Sequence, residues 1–328
     1  MIKEISAPKL KNPLFIVAWP GMGEVAYKSV LFLKEALRFK MLAKLEAEGF
    51  FKPAAIVAEK GIIELPKVPA GFFYYYKAGK NQKGTPDIIL FLGEAQPPLE
   101  RGEELASVVI KYAKGFKPSL VISFAAKPEA IDHKSDSSVW LAATHDDILE
   151  KFKKFNLRIL SKGQISGLNG IVLGIAKRNK LKGACFLGEI PFYTVQIESP
   201  KASKEILKVL NAMFRLNLDL TPLEERAKFI EEEIEKLISY LKGDIPQAPL
   251  PLSEEDIDKI KKDLAAYTKL PQSAREKIET LFQEAKDDIS KSNHIKAELD
   301  RWNVYREYED RFLDLFKGET DKDKNEKN

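Results

Sequence analysis

Leu14-Phe15-Ile16-Val17-Ala18-Trp19-Pro20-Gly21-Met22-Gly23 decides how the rest of the chain is read. Six apolar residues in an unbroken run mark a strand buried on both faces, and the Pro-Gly-Met-Gly that follows reads as a turn. Behind that turn, residues 24–39 place Val25, Ala26, Val30, Leu33 and Leu37 at helical spacing. The same order recurs downstream. Short strands are predicted at 54–58 and 62–65 around Gly61, and at 72–76. A further strand at 87–92 runs into Gly93-Glu94-Ala95-Gln96-Pro97-Pro98, then into a helix carrying Leu105, Val108, Val109 and Tyr112. Strands at 120–125 and 184–187, and helices near 146–155 and 168–179, continue the pattern. A last helix opens at Ser199-Pro200, with Ser199 placed to cap it and Pro200 suited to its first turn. Alternating apolar strands and amphipathic helices predict an α/β fold with a mainly parallel sheet covered on both faces.

After Leu220 the pattern turns wholly helical. Leu223, Ala227, Ile230, Ile234, Leu237 and Leu241 share one helical face until Gly243 and the prolines at 246, 249 and 251 interrupt it. A capped acidic start at Ser253, a helix opening at Pro271 and a final aromatic-rich helix follow. The tail 319–328 has no apolar residue and is expected to be disordered. Three regions are therefore expected: an α/β domain over 1–217, a helical extension over 218–318, and the tail. Trp302, Tyr305, Tyr308 and Phe312 form a stripe that is core by default. On a thin, charged extension, contact with another subunit stands level with contact to the body, so all four are interface candidates.

Composition narrows the classes. The chain has 328 residues, 44% hydrophobic and 31% charged, the balance of a globular protein. Its net charge of +4 is unevenly placed: residues 218–328 carry 20 Lys and Arg against 28 Asp and Glu, and residues 1–217 carry 33 against 21. A basic body and an acidic extension can pair within or between subunits. The lysines are dispersed rather than focused on one face, so nucleic-acid binding is not expected. Cys185 is the only cysteine, which rules out an internal disulfide or a cysteine zinc site, and its apolar strand makes it a buried, inert thiol. The three histidines are scattered and form no metal set. With no signal-like segment and no membrane span in the text, the expected location is cytoplasmic.

Candidate chemistry collects at the turns. Gly21 and Gly23 sit where a strand meets a helix, and the N–H groups there either cradle an anion or serve a tight turn. Neither a Walker loop nor a complete dinucleotide fingerprint is present. Glu94 follows the carboxyl end of a strand, where open α/β sheets place ligands, and Glu189 follows another. The two carboxylates either converge for acid/base work or cap their neighbours. Asn169, in Ser166-Gly167-Leu168-Asn169-Gly170, either binds a ligand or caps its helix. No nucleophile–base pair accompanies these residues, and no cofactor is named by them.

The strand and turn at 14–23, Pro86-Asp87, the run Ser166-Gly167-Leu168-Asn169-Gly170-Ile171-Val172-Leu173-Gly174, and Leu187-Gly188-Glu189-Ile190-Pro191 before Pro200-Lys201-Ala202 together resemble the PAC2 family. The family includes proteasome assembly chaperones and proteins once labelled as ATP-grasp enzymes. The resemblance spans about residues 10–216. It implies a three-layer fold similar to the purine nucleoside phosphorylase and hydrolase group, self-assembly with a trimer favoured, and protein partners. It carries no catalytic residues. Some archaeal members dock through a C-terminal hydrophobic–tyrosine–any-residue ending; this chain ends Glu326-Lys327-Asn328, so docking by that route is not expected. The expected function is a self-assembling, chaperone-like interaction factor. The alternative is an enzyme or binding protein for a nucleotide- or phosphate-containing ligand.

Overall fold

Leu14–Ala18 forms strand β2, and each of its five side chains is buried, as an unbroken apolar run requires. The computed structural model describes residues 2–52, 56–79, 82–242, 272–301 and 305–317. Around β2 a nine-stranded sheet is built in the order β1-β3-β6-β7-β2-β8-β11-β9-β10. Its strands are β1 (Ile2–Glu4), β3 (Lys40–Leu45), β6 (Gly71–Tyr76), β7 (Ile88–Gly93), β8 (Leu120–Glu129), β9 (Val139–Ala143), β10 (Arg158–Ile159) and β11 (Gly183–Pro191). A separate two-stranded ribbon joins β4 (Val57–Glu59) to β5 (Ile62–Glu64).

The expectation of a mainly parallel sheet holds only at its centre. β7, β2, β8 and β11 run parallel, whereas the β7–β6 and β6–β3 pairings on one side and the β11–β9 pairing on the other are antiparallel. Of these antiparallel pairs only β6 and β7 follow each other directly; the β4–β5 ribbon lies between β3 and β6, and β10 and the helices over 146–152 and 168–178 lie between β9 and β11. β3 and β9 are not among the expected strands; β3 has no continuous apolar run, whereas β9 is one, Val139-Trp140-Leu141-Ala142-Ala143. β3 alternates, exposing Lys40 and Lys44 while burying Leu42, Ala43 and Leu45.

Helices cover both faces. On one lie α1 (Val25–Ala36) and α5 (Pro200–Phe214), with α3 (Asp146–Phe152) beside them, around Val30, Leu33, Phe124, Phe186, Ile206 and Leu210. On the other lie α2 (Leu99–Lys114) and α4 (Leu168–Arg178), around Phe15, Trp19, Leu105, Val109, Val172 and Leu187. The helix expected over 24–39 starts later: Met22–Glu24 is a 3₁₀ turn. Ser199 does stand before α5 with Pro200 in its first turn, but its hydroxyl makes no capping hydrogen bond. α6 (Thr221–Lys242) packs on α5 and buries Leu223, Ala227 and Ile234.

The chain parts into two units at Pro246/Gln247. The sequence reading had set its boundary one helix earlier, at 217/218. The second unit contains α7 (Gln272–Asp287), α8 (Ser292–Arg301) and α9 (Tyr305–Lys317). Its core is Ile278, Phe282, Ala285, Ile295, Leu299 and Phe312. Arg311 holds Glu279 through two 2.6 Å hydrogen bonds while its guanidinium lies 4.3 Å from the Phe282 ring centre. The expected capped start at Ser253, Pro271 and the 319–328 tail lie outside the described residues.

Candidate functional site

The turn after β2, the loop after β7 and the start of α4 meet at the carboxyl end of the central strands, the crevice in which open α/β sheets bind ligands. Two side-chain amides join them. Asn169 sits in the first turn of α4, and its Oδ1 accepts from the Trp19 N–H at 2.9 Å while its Nδ2 donates to the Trp19 carbonyl at 3.0 Å. A buried backbone unit that has left its strand ladder is thereby satisfied on both sides. Gln96 completes the junction: its Nε2 donates to the Pro20 carbonyl at 2.7 Å, and its Oε1 accepts from the Leu168 N–H at 3.0 Å. That N–H belongs to the first turn of α4, which has no side-chain cap of its own at Gly167.

Gly21 and Gly23 lie in the same junction, and their surroundings use the donors an anion would need. The Gly23 N–H donates to the Val195 carbonyl at 2.7 Å, and the Glu24 N–H donates back to the Gly21 carbonyl at 2.9 Å. Gly170, one residue past Asn169, lets the start of α4 pass against the Ile165 carbonyl, a position where any Cβ would collide with backbone. The junction is thus tied together by backbone and neutral amides, with Gly21, Met22 and Gln96 exposed at its surface.

Glu94 stands at the mouth of this region but is exposed, and its carboxylate accepts from the Ala70 N–H at 2.8 Å. It lies near Tyr27 and Tyr74. Burial raises both phenol pKa values, and the negative charge of Glu94 adds to the shift. Glu189 is elsewhere. From β7, where Glu94 follows, β2 and β8 intervene before β11, so three strand spacings, roughly 14 Å, separate the two positions. Glu189 is buried, and its carboxylate accepts from Trp140 Nε1 at 2.6 Å, Arg158 Nη1 at 3.0 Å and the Ser138 N–H at 3.2 Å. Of the five candidates, then, Gly21, Gly23 and Asn169 are brought together, Glu94 borders them, and Glu189 stands apart.

Glu189 instead reaches a second polar locus, between the β8–β9 connection and α6. His133 is buried there, with Nδ1 3.0 Å from the Tyr193 hydroxyl and Nε2 3.0 Å from Glu235 of α6. Lys134 also binds Glu235, at 2.7 Å, which together with His133 holds that carboxyl below its ordinary range. Lys201 donates to the carbonyls of His133 and Ser135 and pairs with Glu231 at 2.5 Å. His133, Glu189, Lys201 and Glu231 help to wall a cavity of about 30 Å³, room for about two waters and far too small for a nucleotide. Burial pushes the Cys185 thiol up to about 12, so it is inert as expected.

Of the interface candidates, Phe312 is buried within the helical unit, Tyr308 stacks on Phe282 at 6.0 Å and Tyr305 meets Phe312 at 5.6 Å. Their own unit covers much of the stripe, which the sequence reading took to be too thin to do so. Trp302 lies outside the described residues. Among the described residues no His, Cys, Asp and Glu cluster has metal-site geometry, and no helix is long and apolar enough to cross a membrane.

Two residues that join these loci were missed. Gln96 was read only as part of a turn, although an amide three residues past a strand end, before Pro-Pro, is well placed to bond backbone. His133 was judged only as a metal ligand, and its partner lies 102 residues away.

The comparisons agree with this architecture. The chain is 27% identical over 255 residues to the uncharacterised protein MJ1210 of Methanocaldococcus jannaschii, covering 76% of this chain and 92% of the relative. Among solved structures it is similar to Pyrococcus furiosus PbaB, described as an archaeal proteasome activator, at 26% identity and a TM-score of 0.62, covering 72% of this chain and 98% of that one. It is also similar to P. furiosus PbaA, described as an archaeal homolog of proteasome-assembly chaperone, at 25% identity and a TM-score of 0.56, covering 74% and 93%. The PAC2 family model matches residues 15–238, from the central strand β2 through most of α6, and the chain belongs to the PAC2 family.

Proposed function

We propose that this protein is a self-assembling, chaperone-like interaction factor that acts by binding other proteins rather than by catalysis. One observation carries the reading. The strand-end loops are tied to one another by the chain's own groups: Asn169 occupies both polar groups of the Trp19 backbone, and Gln96 bridges Pro20 to Leu168. A sheet whose ligand crevice is locked in this way is a scaffold, and its function lies on its outer surfaces. PbaB, described as an archaeal proteasome activator, and PbaA, described as an archaeal homolog of proteasome-assembly chaperone, point to proteasome subunits as the partner class.

The helices on both faces of the sheet support the three-layer, phosphorylase-like assignment implied by the family resemblance. Self-assembly, with a trimer favoured, completes the proposal. The exposed parts of Tyr305 and Tyr308 remain available to a partner.

The test uses the full chain. Its mass in solution at micromolar concentration should exceed that of one chain, and it should co-sediment with archaeal proteasome core particles or their free α-subunits. A persistent monomer that binds neither would refute the reading. The ligand-binding alternative has weaker support, because Glu94 and Glu189 are three strands apart and the cavity beside Glu189 admits only water-sized occupants.

A further inference from the structure

Lysines that read as dispersed along the sequence are gathered by the topology at one end of the sheet. The parallel strands β7, β2, β8 and β11 all begin there, β3 begins there too, and β6 ends there. Each of these six neighbouring strands carries an exposed lysine at that end. Lys40 opens β3, Lys77 follows β6, and Lys83, Lys11, Lys117 and Lys180 precede β7, β2, β8 and β11. Neighbouring strands lie about 4.8 Å apart, so the row runs for roughly 24 Å.

The loops that carry the row are fixed to one another. Asp87 accepts from the Lys11 N–H at 2.8 Å and from the Ala78 N–H at 3.0 Å, which sets the Lys11 and Lys77 loops side by side. The Ser119 N–H donates to the Pro13 carbonyl and the Val121 N–H to the Lys182 carbonyl, each at 2.9 Å. Lys182 itself pairs with Asp147. Among the described residues none of the six lysines of the row forms an ion pair. Lys117 and Lys180 lie just past the ends of α2 and α4, where a cation offsets the negative end of a helix. Lys11, Lys77 and Lys83 lie in connections between strands and follow no helix end that would account for them.

We propose that this row binds the phosphate backbone of a nucleic-acid duplex without reading its sequence. One cation per strand at even spacing matches a polymer whose negative charge repeats evenly along its length, whereas a protein surface offers carboxylates at irregular points. A duplex is favoured over a single strand because the aromatic rings in these loops, Phe39 and Phe116, pack on the two cores and leave no platform for stacking bases. Phosphate contacts position a protein on the duplex and carry no sequence information. Six such contacts predict a slope of about −5 in the logarithm of affinity against the logarithm of salt concentration.

The test is fluorescence anisotropy of a labelled DNA duplex of about 20 base pairs, titrated with the full chain at salt concentrations from about 50 to about 200 mM. Affinity should fall about a thousandfold across that range. Lys11→Gln combined with Lys117→Gln, at the middle of the row, should lower the magnitude of the slope by about 2. Lys52→Gln combined with Lys67→Gln, beyond the opposite ends of β3 and β6, should leave the slope unchanged. No salt-dependent binding, or an equal change in both double variants, would overturn the proposal. A labelled poly-glutamate chain that binds as tightly as the duplex, and is lost with Lys11 and Lys117, would overturn it in favour of an acidic protein partner.

Discussion

Two polar loci hold the body together, and they are made of opposite materials. At the strand ends, Asn169 and Gln96 join β2, the loop after β7 and α4 with neutral amides, and the Asn169 contacts are buried. At the docking face of α6, His133, Lys134 and Lys201 meet Glu231 and Glu235, and much of this cluster is solvated. Neutral amides lose little to salt or pH but leave costly orphans when removed. Exposed ion pairs lose little when removed singly but respond to both conditions. The first locus fixes the sheet to its helices; the second makes the placement of α6 adjustable.

The sharpest way to break this contrast is Asn169→Ala. It strands the buried N–H and C=O of Trp19 and should cost about 3 kcal/mol, read as a lower urea midpoint. Gly170→Ala tests the same junction sterically. Its Cβ would meet the Ile165 carbonyl, α4 must shift, and a loss of about 2 kcal/mol is expected in the same assay.

Glu189→Gln probes the border of the charged locus. It keeps one acceptor oxygen, for Trp140 or for the Ser138 N–H but not both, since they bind different carboxylate oxygens, and it loses the charge facing Arg158, for a loss of about 1.5 kcal/mol in thermal unfolding. The smallest effect concerns acid. The Lys134 hydrogen bond, then His133, lowers the Glu235 pKa, so its stabilisation is present above the ordinary carboxylate pKa and is lost as pH falls below it. Amides of α6 should exchange faster on moving from about pH 6 to about pH 3, and Glu235→Gln should remove the part of that response due to this carboxyl. Amides around Trp19 should not follow. Equal acceleration at both loci would erase the contrast.

How much was legible follows from range. β2, β7 and β8 were readable because unbroken apolar runs bounded by Gly and Pro are local signals, and so were α2 and α4. β3 was not, since its alternation shows only once β6 lies beside it. Gly21 and Asn169 were singled out as neighbours of a ligand, and the fold makes them neighbours of each other. Asn169 could be flagged from its place at a helix start, but its partner is 150 residues away.

What the amino-acid sequence determined by itself was the kind of molecule: alternating buried strands and amphipathic helices, a helical C-terminal region, and a family. Periodicity and turn chemistry are local, so they survive in one dimension. Only tertiary structure decided that the strand-end loops are tied together by amides, that α6 packs on α5 in the body, and that Glu94 and Glu189 do not meet. Each of these depends on which strands become neighbours, and strand order is set by packing across the whole sheet rather than by any one segment.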